Sequence, residues 1–385
     1  MIIPAAERTA GVKEYYFSTK NRQIAEMNAD GRTEPVINLG IGAPNGRPPQ
    51  AAIDALAAEA QKDGVHAYQD YRGTAELRKA FADWYCRWYG VQLDFNSHVQ
   101  PLIGAKEGIL IVSLAFLNAG DKVLVPDPGY PTYSSSARLC QAETVPYVLH
   151  EELGWQPDFN ELEKMDLTGV KLMWANYPGM PTGAPASMEL FEKLVDFGRR
   201  HGILVVNDNP YSFILSKKPL SILAVPGAFD CAIELNSLSK AHNMSGWRIG
   251  AVVGAADYVK ELLKVKSQMD SGMFRPLQMA AVQALAQGPE WFSALNEEYR
   301  RRRAAAAKIM DVLGAKYNPE SQGLFLWGKI DGDSLEMSDF LLEKAGVFIT
   351  PGDIFGSRGK GYMRISLCRD VPVYERAVEK IKEVL

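Results

Sequence analysis

The sequence predicts an α/β protein whose larger part is a mostly parallel, buried sheet with helices between its strands. From about residue 100 to 255, short apolar runs of strand length alternate with helical segments, the order expected of parallel strands joined by helices. The two ends of the chain lack this alternation, so we expect them to build a second, smaller α+β lobe. With 385 residues the chain is long enough for two such lobes.

The helices and strands of the larger part can be assigned in order. "GAKEGILIVSLAFLNAGD" predicts a buried helix closed by Gly120, and "KVLVP" predicts a strand. "ARLCQAETVPYVL" predicts a helix end and a further strand, and "KLMWAN" predicts another strand. "SMELFEKLVDFGRRHG" predicts an amphipathic helix that Ser187 caps and Gly202 ends. Three more strands are predicted at "ILVVND", "CAIELNS" and "GAVVGA".

The flanking segments differ from this pattern. The first 50 residues are predicted to be irregular and end in the Gly/Pro-rich "NLGIGAPNGRPP". After about residue 285 come a charged helix, "EWFSALNEEYRRRRAAAAKIMDVLG", and short strands such as "GLFLWGKI" and "GYMRISLC". We therefore predict an N-terminal arm with part of the small domain in residues 1–50, the large domain in 51–285, and the rest of the small domain in 286–385.

Composition and charge argue against several classes of protein. A net charge of −4 and a pI near 5.9 give no electrostatic basis for binding nucleic acid. The N-terminus carries charges where a secretory signal needs an apolar stretch, and no run approaches the roughly 18 apolar residues of a membrane span, so we expect a cytoplasmic protein. The four cysteines stand far apart in apolar contexts, which predicts buried free thiols. The five histidines show no paired spacing, so no metal site is predicted.

Three of the predicted strands are each followed directly by residues with polar side chains. In parallel α/β sheets, ligands bind beyond the carboxyl ends of the strands, and parallel strands bring those ends to one edge. The residues at this edge are Asn176 after "KLMWA", Asp208 and Tyr211 after "ILVVN", and Ser237, Ser239 and Lys240 after "CAIELN". The sequence therefore predicts a ligand site at this edge.

These residue types suit pyridoxal phosphate. A lysine amine can form a Schiff base with the aldehyde, an acid can keep the pyridine nitrogen protonated, and a phenol can hydrogen-bond the ring oxygen. The phosphate needs backbone amides at a helix N-terminus, hydroxyl groups and an arginine. The candidates are Lys240, Asp208, Tyr211, the helix start from Gly104, Ser237, Ser239 and Arg248. Each residue alone has a simpler explanation, such as a solvated lysine or a turn cap; their joint position favours the cofactor.

At these motifs the sequence resembles the class I/II aminotransferases, the fold-type I family of pyridoxal-phosphate enzymes, over essentially its whole length. "SLSKAHNMSGWRIG" is similar to that family's lysine signature, and "NYPGMPTG", "NDNPY", "DPGYPTY" and "TPGDIFG…GYMRIS" stand in the family's order. The resemblance implies pyridoxal 5'-phosphate as the cofactor. It also implies a large domain with a mostly parallel, seven-stranded sheet between helices.

The resemblance implies a role for each matching residue. Lys240 would form the Schiff base with the cofactor and then act as general base and acid, Asp208 would pair with the pyridinium nitrogen, and Tyr211 would donate to the ring oxygen. Tyr130 would stack on the pyridine ring. The phosphate would be held by Gly104, by the backbone amides of Ala105 and Lys106, and by Ser237, Ser239 and Arg248.

Two further implications concern the substrate and a second subunit. Arg364, in "YMRIS", would bind the substrate α-carboxylate as a bidentate fork, with the backbone of Gly42 close by. Tyr68, in "HAYQDYRG", would reach the phosphate of the neighbouring subunit. The resemblance therefore implies a homodimer with shared active sites.

One position departs from the family pattern. The family's Asn-Pro-x-Gly element normally places an asparagine where this chain has Met180. That asparagine hydrogen-bonds the cofactor ring oxygen, and methionine cannot donate. Either Asn176 supplies the contact, or Tyr211 holds the oxygen alone, and we predict a functional but retuned cofactor.

The substrate is less constrained by the sequence than the reaction. The resemblance implies a two-step transfer from an amino acid to a 2-oxo acid, with glutamate and 2-oxoglutarate as the default pair. "EYYFSTK", "INLGIGAP" and "PDPGYPTY" resemble the LL-diaminopimelate aminotransferase branch, in which the tyrosine matching Tyr15 touches substrate. Arg47 and Arg275 could instead receive a distal carboxylate. Aromatic side chains that could line the pocket are Tyr16, Phe17, Phe274, Phe325 and Trp327. Diaminopimelate, aromatic, aspartate and alanine transamination all remain open.

Two other function classes share this fold and lysine motif. One is β-elimination, as in cystathionine β-lyases, which releases pyruvate and ammonia without a 2-oxo acid acceptor. The other is a cofactor-binding regulator without catalysis, but no helix-turn-helix pattern or basic stretch precedes residue 30. The predicted function is therefore an aminotransferase.

Overall fold

The computed structural model describes residues 2–32 and 34–385. No helix within these ranges combines the length and apolar character needed to cross a membrane. The strands are β1 Ile37–Asn38, β2 Val99–Leu102, β3 Lys122–Asp127, β4 Glu143–His150, β5 Gln156–Pro157, β6 Val170–Ala175, β7 Leu204–Asn209, β8 Ala232–Ser237, β9 Gly250–Gly254, β10 Lys316–Tyr317, β11 Phe325–Lys329, β12 Val347–Phe348, β13 Thr350–Pro351 and β14 Tyr362–Ser366.

Most connections between these strands contain helices. The α-helices are α1 Glu7–Ala10, α2 Tyr16–Ala29, α3 Gln50–Glu59, α4 Ala75–Tyr89, α5 Ala105–Phe116, α6 Pro131–Leu139, α7 Phe159–Leu162, α8 Met188–His201, α9 Leu238–Ala241, α10 Ala256–Lys266, α11 Arg275–Leu285, α12 Pro289–Val312, α13 Ser334–Phe340 and α14 Val371–Lys382. A π-helical turn, Leu341–Ala345, continues α13.

The large sheet has the strand order β2-β9-β8-β7-β6-β3-β4-β5. Strands β8, β7, β6, β3 and β4 run parallel, whereas β9 is antiparallel to both its neighbours. Seven strands form the body of the sheet, and the two-residue β5 adds an antiparallel edge. The prediction of a mostly parallel sheet between helices is confirmed.

Both faces of this sheet are buried because apolar side chains point to alternate sides along each strand. On β7, Val205 packs into one core, while Leu204 and Val206 pack into the other. Side chains of α5, α6 and α10 cover one face, and those of α4, α8 and α11 cover the other. Because helices cover both faces, a ligand can reach the sheet only at the ends of its strands, where the polar side chains lie.

Helix boundaries follow local signals where those signals are present. Helix α8 begins after Ser187, whose Oγ accepts a hydrogen bond from the Leu190 amide at 3.1 Å, and ends at Gly202 with φ +65°. Helix α5, by contrast, ends at Phe116, because Leu117 is extended; the prediction that Gly120 closes it is wrong by four residues.

The prediction that the first 50 residues are irregular is wrong for α2, Tyr16–Ala29. This helix has no side-chain cap at Tyr15 and buries only Ile24 fully, so neither a start signal nor an apolar period marks it in the sequence. Its N-terminal end lies beside the functional site, which makes the missed helix relevant to function.

Both ends of the chain meet in the smaller lobe. Strand β1 pairs in parallel with β12, with Ile37 opposite Val347, and strands β10, β11, β14 and β13 form an antiparallel sheet. The predicted boundary at residue 285 falls between α11 and α12, and the boundary at residue 50 falls at the start of α3. The exact domain limits stay a prediction.

The cysteines are free thiols in the structure. Cys231 and Cys368 are buried as predicted, and Cys140 is half-buried. Cys86 is exposed, which contradicts the prediction that all four are buried, because the sequence around it belongs to the amphipathic α4.

Candidate active site

A cavity of about 400 Å³ opens beyond the carboxyl ends of β6, β7 and β8. Parallel pairing brings the ends of these strands to the same edge, and α5 and α6 also begin there. The predicted site residues that line this cavity are Tyr15, Gly42, Ala105, Lys106, Tyr130, Asn176, Asp208, Tyr211, Ser237, Ser239, Lys240, Arg248 and Arg364. The chain therefore gathers these residues from both lobes around one space.

Lys240 lies in the first turn that follows β8. The hydroxyl of Ser237 accepts a hydrogen bond from the Ser239 amide at 3.2 Å, which turns the chain from the strand into the short α9. The Lys240 Nζ atom donates to the carbonyl of Gly42. Burial lowers the pKa of the lysine, as do the nearby Arg248 and Arg364 guanidinium groups. A lowered pKa favours the neutral amine that attacks a carbonyl.

Asp208 presents one unpaired carboxylate oxygen to the cavity. Its Oδ2 atom accepts a hydrogen bond from the Tyr133 hydroxyl at 2.9 Å, while the buried Oδ1 atom has no partner among the described residues. Burial raises the pKa of Asp208 to about 6, and the Tyr133 hydrogen bond and Lys240 oppose that rise. A buried acceptor without a partner is costly, so this oxygen is suited to a ligand that donates a proton or carries a positive charge.

Tyr133 is a site residue that was not predicted from the sequence. Its ring stacks on the Trp174 ring with centroids 4.8 Å apart and planes 5° apart, which fixes the hydroxyl against Asp208. The available signal was its place in "DPGYPTY", three residues after Tyr130, the residue that precedes α6.

Tyr211 and Asn176 stand on the wall beside Asp208. Burial raises the pKa of Tyr211, so its hydroxyl remains a donor at neutral pH. Asn176 Nδ2 donates to the Asp208 carbonyl at 2.6 Å, and its Oδ1 accepts from the Met180 amide at 2.7 Å. The Asn176 side chain thus holds the ends of β6 and β7 together.

The start of α5 forms a cradle for an anion. Gly104 precedes the helix with φ +78°, and a Cβ atom at this position would collide with the Arg248 guanidinium. Arg248 is fixed by hydrogen bonds from Nη1 to the Ser245 carbonyl at 2.7 Å and to Ser239 Oγ at 3.5 Å. Unpaired helix amides, hydroxyls and a guanidinium converge here, as binding of a phosphate requires.

The outer wall of the cavity is aromatic. The Lys106 Nζ atom lies 4.1 Å from the centroid of the Tyr15 ring, a cation–π contact. Tyr15 meets Tyr130 edge to face, with centroids 6.5 Å apart. The Lys106 side chain therefore lies against the Tyr15 ring, while its backbone amide belongs to the first turn of α5.

Arg364, in the middle of β14, is a buried cation without an acidic partner among the described residues. Its Nη2 donates to the Gly40 carbonyl at 2.7 Å, its Nη1 contacts the Met180 Sδ at 3.2 Å, and its Nε is unpaired. The guanidinium lies 4.0 Å from the Phe325 ring and 4.6 Å from the Phe355 ring. Burial lowers its pKa to about 10, so it stays charged at neutral pH. An uncompensated buried guanidinium is a binding site for a carboxylate.

A glycine is required opposite Arg364. A Cβ atom on Gly42 would collide with the Phe325 ring, so only glycine lets the backbone approach Lys240 there. The neighbouring Ile41 carbonyl accepts a hydrogen bond from Ser366 Oγ at 2.8 Å, which ties this segment to the smaller lobe.

Comparison with known proteins decides which family builds such a site. A family model described as aminotransferase class I and II matches residues 34–381. The chain belongs to the class I and II aminotransferases. It is therefore a pyridoxal-phosphate-dependent transaminase, as the motifs predicted.

Individual relatives cover this aminotransferase along nearly its whole length. It is 38% identical to the LL-diaminopimelate aminotransferase of Oleidesulfovibrio alaskensis, and the match covers 98% of each chain. The LL-diaminopimelate aminotransferase of Aquifex aeolicus is also 38% identical with the same coverage. The substrate-bound BacF structure from Bacillus subtilis superposes with a TM-score of 0.93 at 34% identity, covering 99% of this chain and 98% of that one.

The residues present fit the cofactor of this aminotransferase family. The unpaired Asp208 Oδ1 is the acceptor that a protonated ring nitrogen needs, and the absence of a Cβ atom at Gly104 lets the Arg248 guanidinium pack against the start of α5, where a phosphate would bind. Lys240 opens onto the same cavity.

Several predicted residues lie elsewhere. Tyr68 is 90% exposed and does not line the cavity formed by this chain. Arg275 is paired with Glu59 at 2.8 Å and Glu76 at 3.2 Å and does not line the cavity formed by this chain. Of the predicted aromatic residues, Phe17 and Phe325 line the cavity; Tyr16, Phe274 and Trp327, and also Arg47, do not.

Proposed function

We propose that this aminotransferase takes LL-diaminopimelate as amino donor and 2-oxoglutarate as acceptor, by a ping-pong mechanism. The full-length identity to relatives of that name supports the donor. The observation that carries the proposal is the buried Arg364, which has no acidic partner among the described residues and faces the same cavity as Lys240. It can bind the α-carboxylate of the donor and then that of the acceptor.

Different residues of the chain would have different roles in the reaction. Pyridoxal phosphate, when bound, supplies an aldehyde that condenses with amines and a ring that accepts electrons. Lys240 would bind the aldehyde and afterwards move the proton between carbon atoms, since its lowered pKa allows both roles. Asp208 would keep the ring nitrogen protonated, and Tyr211 would donate to the ring oxygen.

Groups around this centre would hold the cofactor and the substrate in place. Tyr130 would stack on the ring, and Asn176 would support the wall beside it. The phosphate would lie at the start of α5, against Gly104, Ala105, Lys106, Ser237, Ser239 and Arg248. Arg364 and the backbone of Gly42 would hold the α-carboxylate in the cavity that Lys240 also lines.

Lys106 favours a donor with a second carboxylate. Its ammonium contacts the Tyr15 ring and has no acidic partner among the described residues, so a distal carboxylate could reach it. An aromatic amino acid is the second candidate, because Tyr15, Phe17, Tyr130 and Phe325 give the cavity aromatic walls.

We further propose a homodimer in the cytoplasm that serves amino-acid biosynthesis. Large apolar side chains are exposed near one another in sequence, among them Tyr68 at 90% and Tyr71 at 44%. A second copy would cover them, and Tyr68 would then reach the phosphate of the neighbouring site.

A panel of amino donors tests the substrate. The holoenzyme would be supplied with 2-oxoglutarate and, in turn, LL-diaminopimelate, phenylalanine, tyrosine, aspartate and alanine, and glutamate formation would be measured. We expect kcat/KM for LL-diaminopimelate to exceed the others by at least about tenfold. A preference for phenylalanine or tyrosine would support the aromatic candidate, and pyruvate released from cystathionine without an acceptor would support β-elimination.

Replacing Met180 by asparagine should change the pH at which the visible absorption of the bound cofactor changes. The two hydrogen bonds of Asn176 to backbone groups favour Tyr211 as the donor to the ring oxygen. A carboxamide at position 180 would add a donor that stabilises the anionic oxygen. We therefore expect the pKa of the visible absorption change, measured without substrate, to fall by about one unit.

Met180→Leu is the matched control for this experiment, since leucine is of similar size and has no donor. Its absorption should titrate as in the wild type. Identical pH titrations of the wild type and of Met180→Asn would show that position 180 does not reach the ring oxygen.

A further inference from the structure

The last residue of β3, Asp127, binds a loop of the smaller lobe through its carboxylate. Its Oδ2 atom accepts hydrogen bonds from the Ser357 hydroxyl at 2.6 Å and the Ser357 amide at 3.2 Å. Its Oδ1 atom accepts from the Arg358 amide at 3.0 Å. The carboxylate is buried and rests directly on the loop backbone, because a Cβ atom on Gly356 would collide with it.

This loop, residues 352–359, forms one wall of the Arg364 site. Phe355 is buried, and its ring lies 4.6 Å from the Arg364 guanidinium. The Phe355 carbonyl also accepts a hydrogen bond from the Gly129 amide at 2.8 Å, one residue before Tyr130. The segment 127–130 therefore joins the wall of the carboxylate site to the residue beside the cofactor cavity.

We propose that Asp127 is a positioning residue that fixes the 352–359 loop, and with it Phe355, against Arg364 for tight carboxylate binding. Asp127 does not touch the cavity itself. Its effect passes through Phe355, which keeps water from the guanidinium and holds it in one orientation. The inference rests on the role proposed for Arg364 and does not depend on which amino acid is the donor.

Because of how the loop is attached, removal of the Asp127 carboxylate should weaken substrate binding more than cofactor binding. The cofactor cradle at Gly104 and Arg248 belongs to the larger lobe and makes no hydrogen bond to the 352–359 loop. The Asp127 bonds, in contrast, all reach residues 357 and 358. Loss of Asp127 should therefore weaken carboxylate binding while cofactor binding is kept.

The test compares Asp127→Asn, Asp127→Ala and Ser357→Ala holoenzymes with the wild type, using 2-oxoglutarate and the best donor of the wild type. We expect Asp127→Ala to raise KM for both substrates by about 10- to 100-fold with kcat changed less than about threefold. Asp127→Asn and Ser357→Ala should show smaller rises, because each retains part of the hydrogen bonding. The dissociation constant of the cofactor should be unchanged.

Tyr362→Phe is the matched control. Its hydroxyl donates to Glu151 at 2.6 Å across the same boundary between lobes, without a bond to the 352–359 loop. This variant should keep the KM of the wild type. The proposal is overturned if the Asp127 variants keep the wild-type KM, or if their cofactor dissociation constant rises by as much as their KM. It is also overturned if Tyr362→Phe raises KM as much as the Asp127 variants do. If Asp127→Ala does not fold, Asp127→Asn and Ser357→Ala are judged by the same criteria.

The experiment separates this proposal from the proposed function. A wild type that does not use LL-diaminopimelate or 2-oxoglutarate would contradict the substrate assignment alone, and the comparison would proceed with the best donor and acceptor. Wild-type KM values in every Asp127 variant would contradict the positioning role alone.

Discussion

Lys240→Ala should abolish transamination, with kcat reduced by at least about 10,000-fold. Under the proposed mechanism, the variant loses both the amine that would bind the aldehyde and the group that would move the proton. The phosphate cradle at Arg248 remains, so some cofactor should stay bound without a covalent bond. Borohydride reduction followed by mass spectrometry should attach the cofactor to the peptide containing residue 240 in the wild type and to no peptide in the variant.

Lys106→Ala provides the matched control, because Lys106 is the second lysine of the cavity. Borohydride should still fix the cofactor at Lys240 in that variant. Full turnover by Lys240→Ala, or attachment of the cofactor at Lys106 in the wild type, would contradict the assignment.

Asp208→Asn should reduce kcat by about 100- to 1,000-fold. The carboxamide has nearly the shape of the carboxylate but no charge to keep a ring nitrogen protonated. Tyr133→Phe is the graded comparison: it keeps the carboxylate but removes the 2.9 Å hydrogen bond to Oδ2, so a loss of about tenfold is expected. Steady-state rates at saturating substrate measure both effects.

The same carboxyl group should give the cofactor-free protein a pH dependence. Burial raises the pKa of Asp208 to about 6, so the ionised form predominates above that pH and is lost below it. Glu234 contributes to the rise and Lys240 opposes it. Cofactor affinity should therefore weaken as the pH falls through about 6 in the wild type. This loss of cofactor affinity at low pH should be absent in Asp208→Asn, as measured by fluorescence titration of cofactor binding between pH 5 and 8. An equal pH dependence in the wild type and in Asp208→Asn would exclude Asp208 as its cause.

Much of the fold and part of the site could be predicted because the information is local. The strand "ILVVND" buries apolar side chains on both faces and ends in the acid, so sequence order alone places Asp208 at the edge of the sheet. Ser187 and Gly202 mark α8 by direct contacts with their own helix.

The rest depends on contacts between distant segments. Tyr133 acquires its role only through Trp174 and Asp208, and Asp127 only through a loop more than two hundred residues later. In the sequence, nothing near Arg275 indicates its ion-pair partners, because Glu59 and Glu76 lie about two hundred residues earlier in the chain. Side chains whose partners lie far along the chain carry no periodic or capping signal.

The pairing of β1 with β12 has a consequence for synthesis on the ribosome. The large sheet has all its strands once residue 254 has been made, whereas β1 has no partner until Val347 and Phe348 emerge. The segment with Gly42 precedes that sheet, and Arg364 follows it by more than a hundred residues. A nascent chain can thus complete the proposed phosphate-binding site well before it can form the proposed carboxylate site at Arg364.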